Sequence, residues 1–169
     1  MTKSAGMASI PRRRGLSPVI APDARVLILG SFPSEASLAA RQYYAHARNH
    51  FWPILGALVG ERLAELPYRE RIARVQAHRI AIWDTIVSCE RQGSLDAAIR
   101  NATRAEVRRV RRVAPDLAAV CFNGGTAARA RNVWEAAGYR TLQLPSTSPA
   151  YTLSIEAKLS AWRELADYL

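Results

Sequence analysis

Leu27 to Trp52 reads LILGSFPSEASLAARQYYAHARNHFW, and the start of that stretch decides the fold class. The aliphatic run Val26-Leu27-Ile28-Leu29 stops at Gly30, and the polar turn Ser31-Phe32-Pro33-Ser34 follows it. A short apolar run bounded by a turn is a buried strand. Open α/β sheets place their ligands beyond the carboxyl ends of such strands. Just past this end come Tyr43-Tyr44 and then His46, Arg48, Asn49 and His50. Flat rings beside amide, imidazole and guanidinium groups suit a planar, hydrogen-bonding ligand, and a nucleobase fits that description.

The bulk properties bound the answer. A chain of 169 residues with 49% hydrophobic content and a mean hydropathy of −0.11 suits one soluble domain with an ordinary core. No apolar run approaches the roughly 20 residues of a membrane span, so no membrane partner is expected. Residues 1–15 carry Arg12-Arg13-Arg14 without an apolar stretch behind them, which predicts a disordered basic arm and no secretory signal; residues 16–169 are predicted to form the single domain. Cys89 and Cys121 are the only cysteines, and neither belongs to a CxxC pair. No metal site and no cofactor are therefore expected, and two buried thiols in a reducing bacterial cytoplasm, near the nucleoid, are.

The formal net charge is +10, and Lys3 and Lys158 are the only lysines. A GC-rich genome accounts for arginine over lysine, but not for ten surplus positive charges. Arginine forks match phosphate geometry and stack on bases, so nucleic acid is the natural partner.

Periodicity predicts strands alternating with helices. Strands are expected at Arg25–Leu29, Ile80–Trp83, Leu117–Phe122 and Tyr139–Leu144. Helices are expected at Phe51–Val59, Leu63–Ala77, Ser94–Asn101, Thr103–Val113, Thr126–Ala137 and Ser154–Tyr168. Ser94 and Thr103 read as N-caps, Glu106 completes a TxxE capping box with Thr103, and Gly138 is placed to close the helix before it. The fold class predicted is α/β: a three-layer α/β/α sandwich around a central, mainly parallel four-stranded sheet. The four strand ends, Gly30–Ser34, Asp84–Thr85, Asn123–Gly125 and Pro145–Pro149, then share one rim. None matches a Walker A or GxGxxG loop, which argues against nucleoside triphosphates and dinucleotides.

Gly30-Ser31-Phe32-Pro33-Ser34 followed by Tyr44-Ala45-His46-Ala47-Arg48-Asn49-His50-Phe51-Trp52 resembles the first motif region of the uracil-DNA glycosylase superfamily. Its mismatch-specific branch carries a similar GxxPG turn and then AHPxNxFW. Leu144-Pro145-Ser146-Thr147-Ser148-Pro149 is similar to the superfamily's last motif, a Pro/Ser-rich loop that enters the minor groove. Ile82-Trp83-Asp84-Thr85 through Cys89-Glu90-Arg91-Gln92-Gly93-Ser94-Leu95-Asp96 is most similar to the hypoxanthine (deoxyinosine) branch. The resemblance runs from about Ser17 to the C-terminus.

That resemblance implies a monomeric, monofunctional glycosylase that flips a deaminated base, hypoxanthine or uracil, out of double-stranded DNA and hydrolyses its glycosidic bond. Asn49 matches the position implied to be catalytic, holding water against C1′; the other reading is a helix N-cap ahead of Phe51. Tyr44 matches the aromatic that stacks on the extruded base, or else is a core tyrosine. Gly30, Ser31 and Phe32 supply the turn of the base pocket. Many relatives carry an acidic or amide residue in that turn; here there is none, and Phe32 stands in place of asparagine, as in the hypoxanthine branch. Asp84 reads the base edge, or caps a helix or pairs with an arginine. Asn123 reads the base edge or makes a turn. Pro145, Ser146, Thr147 and Ser148, with His46 and Arg48, are the implied DNA contacts, and Tyr151 or Thr147 stands near the wedge position. Two other classes fit the residues less well: a non-catalytic nucleic-acid-binding module of the same fold, and a hydrolase of free nucleosides.

Overall fold

The computed structural model describes residues 8–169. In chain order its elements are β1 (Arg12–Arg14), β2 (Val26–Gly30), α1 (Glu35–Ala40), α2 (Phe51–Val59), α3 (Tyr68–Ala77), β3 (Ile80–Asp84) and β4 (Ile86–Glu90). There follow β5 (Arg100–Arg104), α4 (Val107–Val113), β6 (Ala119–Asn123), α5 (Gly125–Ala128), α6 (Arg131–Ala136), β7 (Arg140–Leu144) and α7 (Ile155–Trp162).

Every residue of β2, β3 and β6 is buried. They form, with β7, one wholly parallel sheet in the order β3-β2-β6-β7. Successive residues of β2 feed opposite faces, as the two-residue strand period requires. Val26 and Ile28 pack with Phe51, Trp52, Ile54 and Leu55 of α2, Val75 of α3 and Trp162 of α7. Leu27 and Leu29 pack with Val110 of α4, Ala127 of α5 and Trp134 of α6. Burying each aliphatic side chain of this kind stabilises the fold by about 1.5–3 kcal/mol before entropy is counted. The three-layer sandwich expected from the strand pattern is the architecture observed.

Several local expectations are corrected. Arg12–Arg14, assigned to the arm, is a strand that pairs antiparallel with β4; residues 1–7 of that arm lie outside the described residues. β4 in turn pairs antiparallel with β5, so a second, three-stranded sheet of order β1-β4-β5 stands beside the first. The helix expected over Ser94–Asn101 is a single 3-10 turn, Asp96–Ala98, leading into β5. Thr103 is a strand residue whose Oγ1 accepts from the Arg12 guanidinium at 2.6 Å, so no capping box forms, and α4 starts only at Val107. Pro67, which has no N–H to give, separates α3 from a 3-10 turn at Leu63–Glu65 where one helix was expected. Thr126–Ala137 divides into α5 and α6. Gly138 does close α6, with φ of 94°. Its N–H donates to Glu135 O at 2.9 Å and that of Tyr139 to Trp134 O at 3.2 Å, the paired bonds of a Schellman motif. Ser154 caps α7, accepting from Ala157 N–H at 3.2 Å, and the last turns, Arg163–Tyr168, are 3-10.

Candidate active site

The carboxyl ends of the parallel strands open on a cleft of about 780 Å³. Its walls come from the turn after β2, the Tyr43–Asn49 connection between α1 and α2, Asp84, Ser94–Asp96, Asn123 and Ser146–Tyr151. All four polar strand ends expected to converge therefore contribute to it. Among the described residues no helix is long and apolar enough to cross a membrane, and no three His, Cys, Asp or Glu side chains are grouped to hold a metal ion.

Gly30 ends β2 at the floor, and a side chain there has no room. An added Cβ would lie 2.6 Å from Asp84 Oδ1 and 2.9 Å from the Tyr44 hydroxyl. Beyond Gly30 the strand ladder continues into the turns, with Thr85 N–H donating to Gly30 O at 2.8 Å and Ile86 N–H to Ser31 O at 3.1 Å. Phe32 is buried against Ile86 and Cys89. The Arg91 guanidinium stands 4.9 Å above its ring and donates to Pro33 O at 2.5 Å. Ser31 Oγ donates to Asp96 Oδ1 at 2.7 Å.

Asp84 is 5% exposed and its Oδ2 has no hydrogen-bond partner. Burial pushes its carboxyl up to about 7, the nearby Asp96 adds to the rise, and Arg91 opposes it. The paired tyrosines divide the labour. Tyr43 is a core residue whose hydroxyl donates to Ser17 O at 2.8 Å, and whose carbonyl accepts from Trp52 Nε1 at 3.0 Å. Tyr44, in the left-handed region at φ of 53°, turns into the cleft and stacks on Phe51 with ring centroids 3.8 Å apart and planes at 17°. Its hydroxyl is buried without a partner, and burial holds that hydroxyl far above the ordinary tyrosine range.

Asn49 lines the cleft, and its Oδ1 accepts from Phe51 N–H at 2.9 Å. This bond identifies the oxygen of the carboxamide, because a backbone N–H requires an acceptor. It also fixes the plane of the amide while leaving the second lone pair of Oδ1 and both Nδ2 hydrogens for other partners. The N-cap position of α2 is His50, without a side-chain capping bond, so the expected capping role of Asn49 is corrected to an Asx turn one residue ahead of the helix, which leaves the side chain open to a site role. His46 lines the cleft with its Nδ1 accepting from Arg48 N–H at 3.1 Å, and Arg48 is exposed at the rim. His50 is not part of the lining; its backbone N–H donates to Thr147 O at 3.0 Å.

The loop after β7 is held from several sides. Asn123 Nδ2 donates to Thr147 Oγ1, and Thr147 N–H donates to Asn123 Oδ1, both at 2.9 Å. Trp162 Nε1 donates to Pro145 O at 2.9 Å, and Lys158 Nζ to Ser148 O at 3.2 Å. Asn123, read as a base-edge or turn residue, spends most of its amide on this strut. Thr147 is 1% exposed and its N–H, Oγ1 and carbonyl are all engaged within the fold, so it holds the loop in place, while its neighbours Ser146, Ser148 and Tyr151 line the cleft. Arg91, Leu95 and Asp96 had no site role assigned from sequence, and Ser94, read there as an N-cap, instead accepts from Glu35 N–H at 2.9 Å; the signal was that this segment carries part of the resemblance to the hypoxanthine branch.

Comparison with known proteins agrees with this geometry. The sequence pattern of the Uracil DNA glycosylase superfamily matches residues 17–166. A protein of Methanosarcina barkeri named "Hypoxanthine DNA glycosylase" is 33% identical over 153 residues, covering 90% of this chain and 97% of its own. Its namesake from Methanosarcina acetivorans is 32% identical over 150 residues, covering 89% and 95%. The solution NMR structure of a Methanosarcina acetivorans protein designated a candidate uracil DNA glycosylase superposes with a TM-score of 0.81 at 31% identity, over 92% of this chain and 99% of that one. Sequence, sheet topology and cleft concur, and the chain belongs to the uracil DNA glycosylase superfamily.

Proposed function

We propose that the protein is a monofunctional DNA glycosylase that acts as a monomer on double-stranded DNA, excising hypoxanthine and, as a second deaminated base, uracil. The observation that carries this reading is the floor of the cleft: a buried carboxyl with an unpartnered oxygen beside a stacked tyrosine, facing the wall that bears Asn49. A flipped base fits between these groups. The Tyr44 ring, backed by Phe51, offers it a stacking platform. Ionised Asp84 accepts the N1–H of hypoxanthine or the N3–H of uracil, whereas the N1 of adenine is an acceptor and meets the carboxylate with repulsion. The names of the Methanosarcina relatives support hypoxanthine as the leading substrate.

Hydrolysis then needs a water held at C1′. Asn49 Oδ1, oriented by Phe51 N–H, accepts one hydrogen of that water and leaves its lone pair aimed at the sugar. As the oxygen–C1′ bond forms, the C1′–nitrogen bond breaks and its electron pair leaves with the base; the proton of the water passes to solvent. An amide is no general base, so holding the water and the flipped base in line at C1′ is what these groups supply. Among the described residues no lysine lines the cleft, which supports hydrolysis without a Schiff base and an intact strand at the abasic site.

The test is single-turnover excision from duplexes carrying one hypoxanthine, uracil or xanthine, with alkali to reveal abasic sites. Release of hypoxanthine is the expected result. Release of uracil alone moves the assignment to another specificity, and salt-sensitive binding without any excision replaces the enzyme with a binding module.

A further inference from the structure

We infer that Leu95 is a wedge that enters the base stack of the duplex from the Ser94–Asp96 wall of the cleft. The inference rests on the glycosylase reading of the cleft. Leu95 is 66% exposed, more than any other large apolar side chain among the described residues, and it lines the cleft itself. An isolated exposed leucine is unremarkable on most surfaces. This one is held out by its neighbours. On one side, Ser94 Oγ accepts from Glu35 N–H at 2.9 Å, which ties the chain to the start of α1. On the other, Asp96 Oδ1 accepts from Ser31 Oγ at 2.7 Å, which ties it to the turn at the cleft floor. Leu95 O also accepts from Ala98 N–H at 3.1 Å, and Arg100 donates to Ala97 O and Ile99 O at 2.7 and 2.8 Å. The side chain between those anchors is therefore presented by a braced loop.

The occupant follows from chemistry on the same surface. The loop joins β4 to β5, and the small sheet that carries it exposes Arg12, Arg14, Arg100 and Arg104. Tyr151, which lines the same cleft, is 48% exposed. Two apolar tips at one cleft, flanked by cations, match a polyanion with an apolar interior that opens on demand. A stacked duplex has that character, and apolar side chains inserted at a base step unstack it. Leu95 is the member of this pair fixed directly to the base pocket, so insertion there couples unstacking to capture of the flipped base.

The experiment compares wild type, Leu95→Ala, Leu95→Met and Tyr151→Ala on hypoxanthine in one sequence, as duplex and as single strand. A 2-aminopurine beside the lesion reports unstacking on binding. Leu95→Ala is expected to slow duplex excision about tenfold or more and to lose the fluorescence rise, while single-strand excision stays within about twofold. Leu95→Met, which keeps apolar reach, is expected to restore both. Equal losses on duplex and single strand, an unchanged duplex rate, or a duplex-selective loss in Tyr151→Ala alone would each overturn the assignment. If wild type excises nothing, the glycosylase reading fails, and the fluorescence of the bound duplex still decides for or against Leu95.

Discussion

Replacing Asp84 by asparagine tests the floor of the cleft in two opposite directions. The carboxyl titrates at 3.8 when exposed and at about 7 in the fold, chiefly because burial disfavours its charge. The folded state therefore holds a proton that the unfolded chain gives up. The stability this supplies is complete below pH 3.8 and is lost as pH rises through 7, where the fold must carry a buried charge. A shift of this size corresponds to about 4 kcal/mol. Asp84→Asn keeps the shape without the charge, so it should be more stable than wild type by about that amount at pH 9 and nearly equal to it at pH 4. For a chain of this length the gap at pH 9 is about 10 °C in Tm. Urea unfolding of both proteins across pH 4–9 measures the difference, and other titrating groups cancel between them. Excision should respond the other way. Hypoxanthine release by wild type should rise across pH 7 as Asp84 ionises, and the variant should be slow and flat. Parallel stability curves would refute the buried charge; an unchanged rate and pH profile would refute base reading.

The proposed catalytic part of Asn49 can be separated from its structural bond by two substitutions. Asn49→Ala should slow single-turnover excision by about 10²–10³, with duplex affinity retained, and lose about 1 kcal/mol of stability with the bond to Phe51 N–H. Asn49→Ser keeps an acceptor near Phe51 N–H and should recover the stability but not the rate; recovery of both would make the residue structural alone. Arg48 is exposed at the rim and makes no ion pair among the described residues. Arg48→Ala should weaken binding equally to damaged and undamaged duplex and reduce the salt slope by about 1. Weakening confined to hypoxanthine duplexes would place Arg48 at the base instead.

What was legible in the sequence was local. The run Val26–Leu29 and its Gly-Ser-Phe-Pro-Ser turn declare a buried strand and a strand-end site within nine residues, and Gly138 declares its helix end within two. What failed depended on partners far along the chain. β5 reads Arg-Asn-Ala-Thr-Arg, exposed at all but Ala102, and carries no apolar alternation. It is a strand because β4 supplies a ladder and because Arg12, 91 residues from Thr103, bridges to Asn101 O, Ser88 Oγ and Thr103 Oγ1. The same contacts turn Arg12–Arg14 from a basic arm into an edge strand. Composition cannot distinguish an arginine that faces phosphate from one that fastens a sheet. Thr103 and Glu106 have the spacing of a capping box, and tertiary pairing overrides it. Asn123 and Thr147, 24 residues apart, each looked free to meet DNA until the fold joined them.

The distribution of unsatisfied groups ties the fold to the reaction. Buried polar atoms in folded proteins are nearly all hydrogen-bonded, and each exception costs about 1–3 kcal/mol. Among the described residues the buried side-chain atoms without partners belong to Tyr44, His50, Asp84, Thr85 and Arg91. These residues are not scattered. Asp84 and Tyr44 converge on Gly30, Thr85 N–H bonds Gly30 O, Arg91 bonds Pro33 O, and His50 N–H bonds Thr147 O. The polar groups the fold leaves unpaired thus encircle the strand-end turns of one cleft. On the proposed reading of the site, a flipped base that donates to Asp84 recovers part of that cost only when it is fully inserted, and a base with an acceptor at that edge recovers none. On the proposed function, discrimination between hypoxanthine and adenine would be drawn from stability the empty protein forgoes. The same variants that damage selectivity, Asp84→Asn foremost, are for that reason expected to be the ones that stabilise the chain.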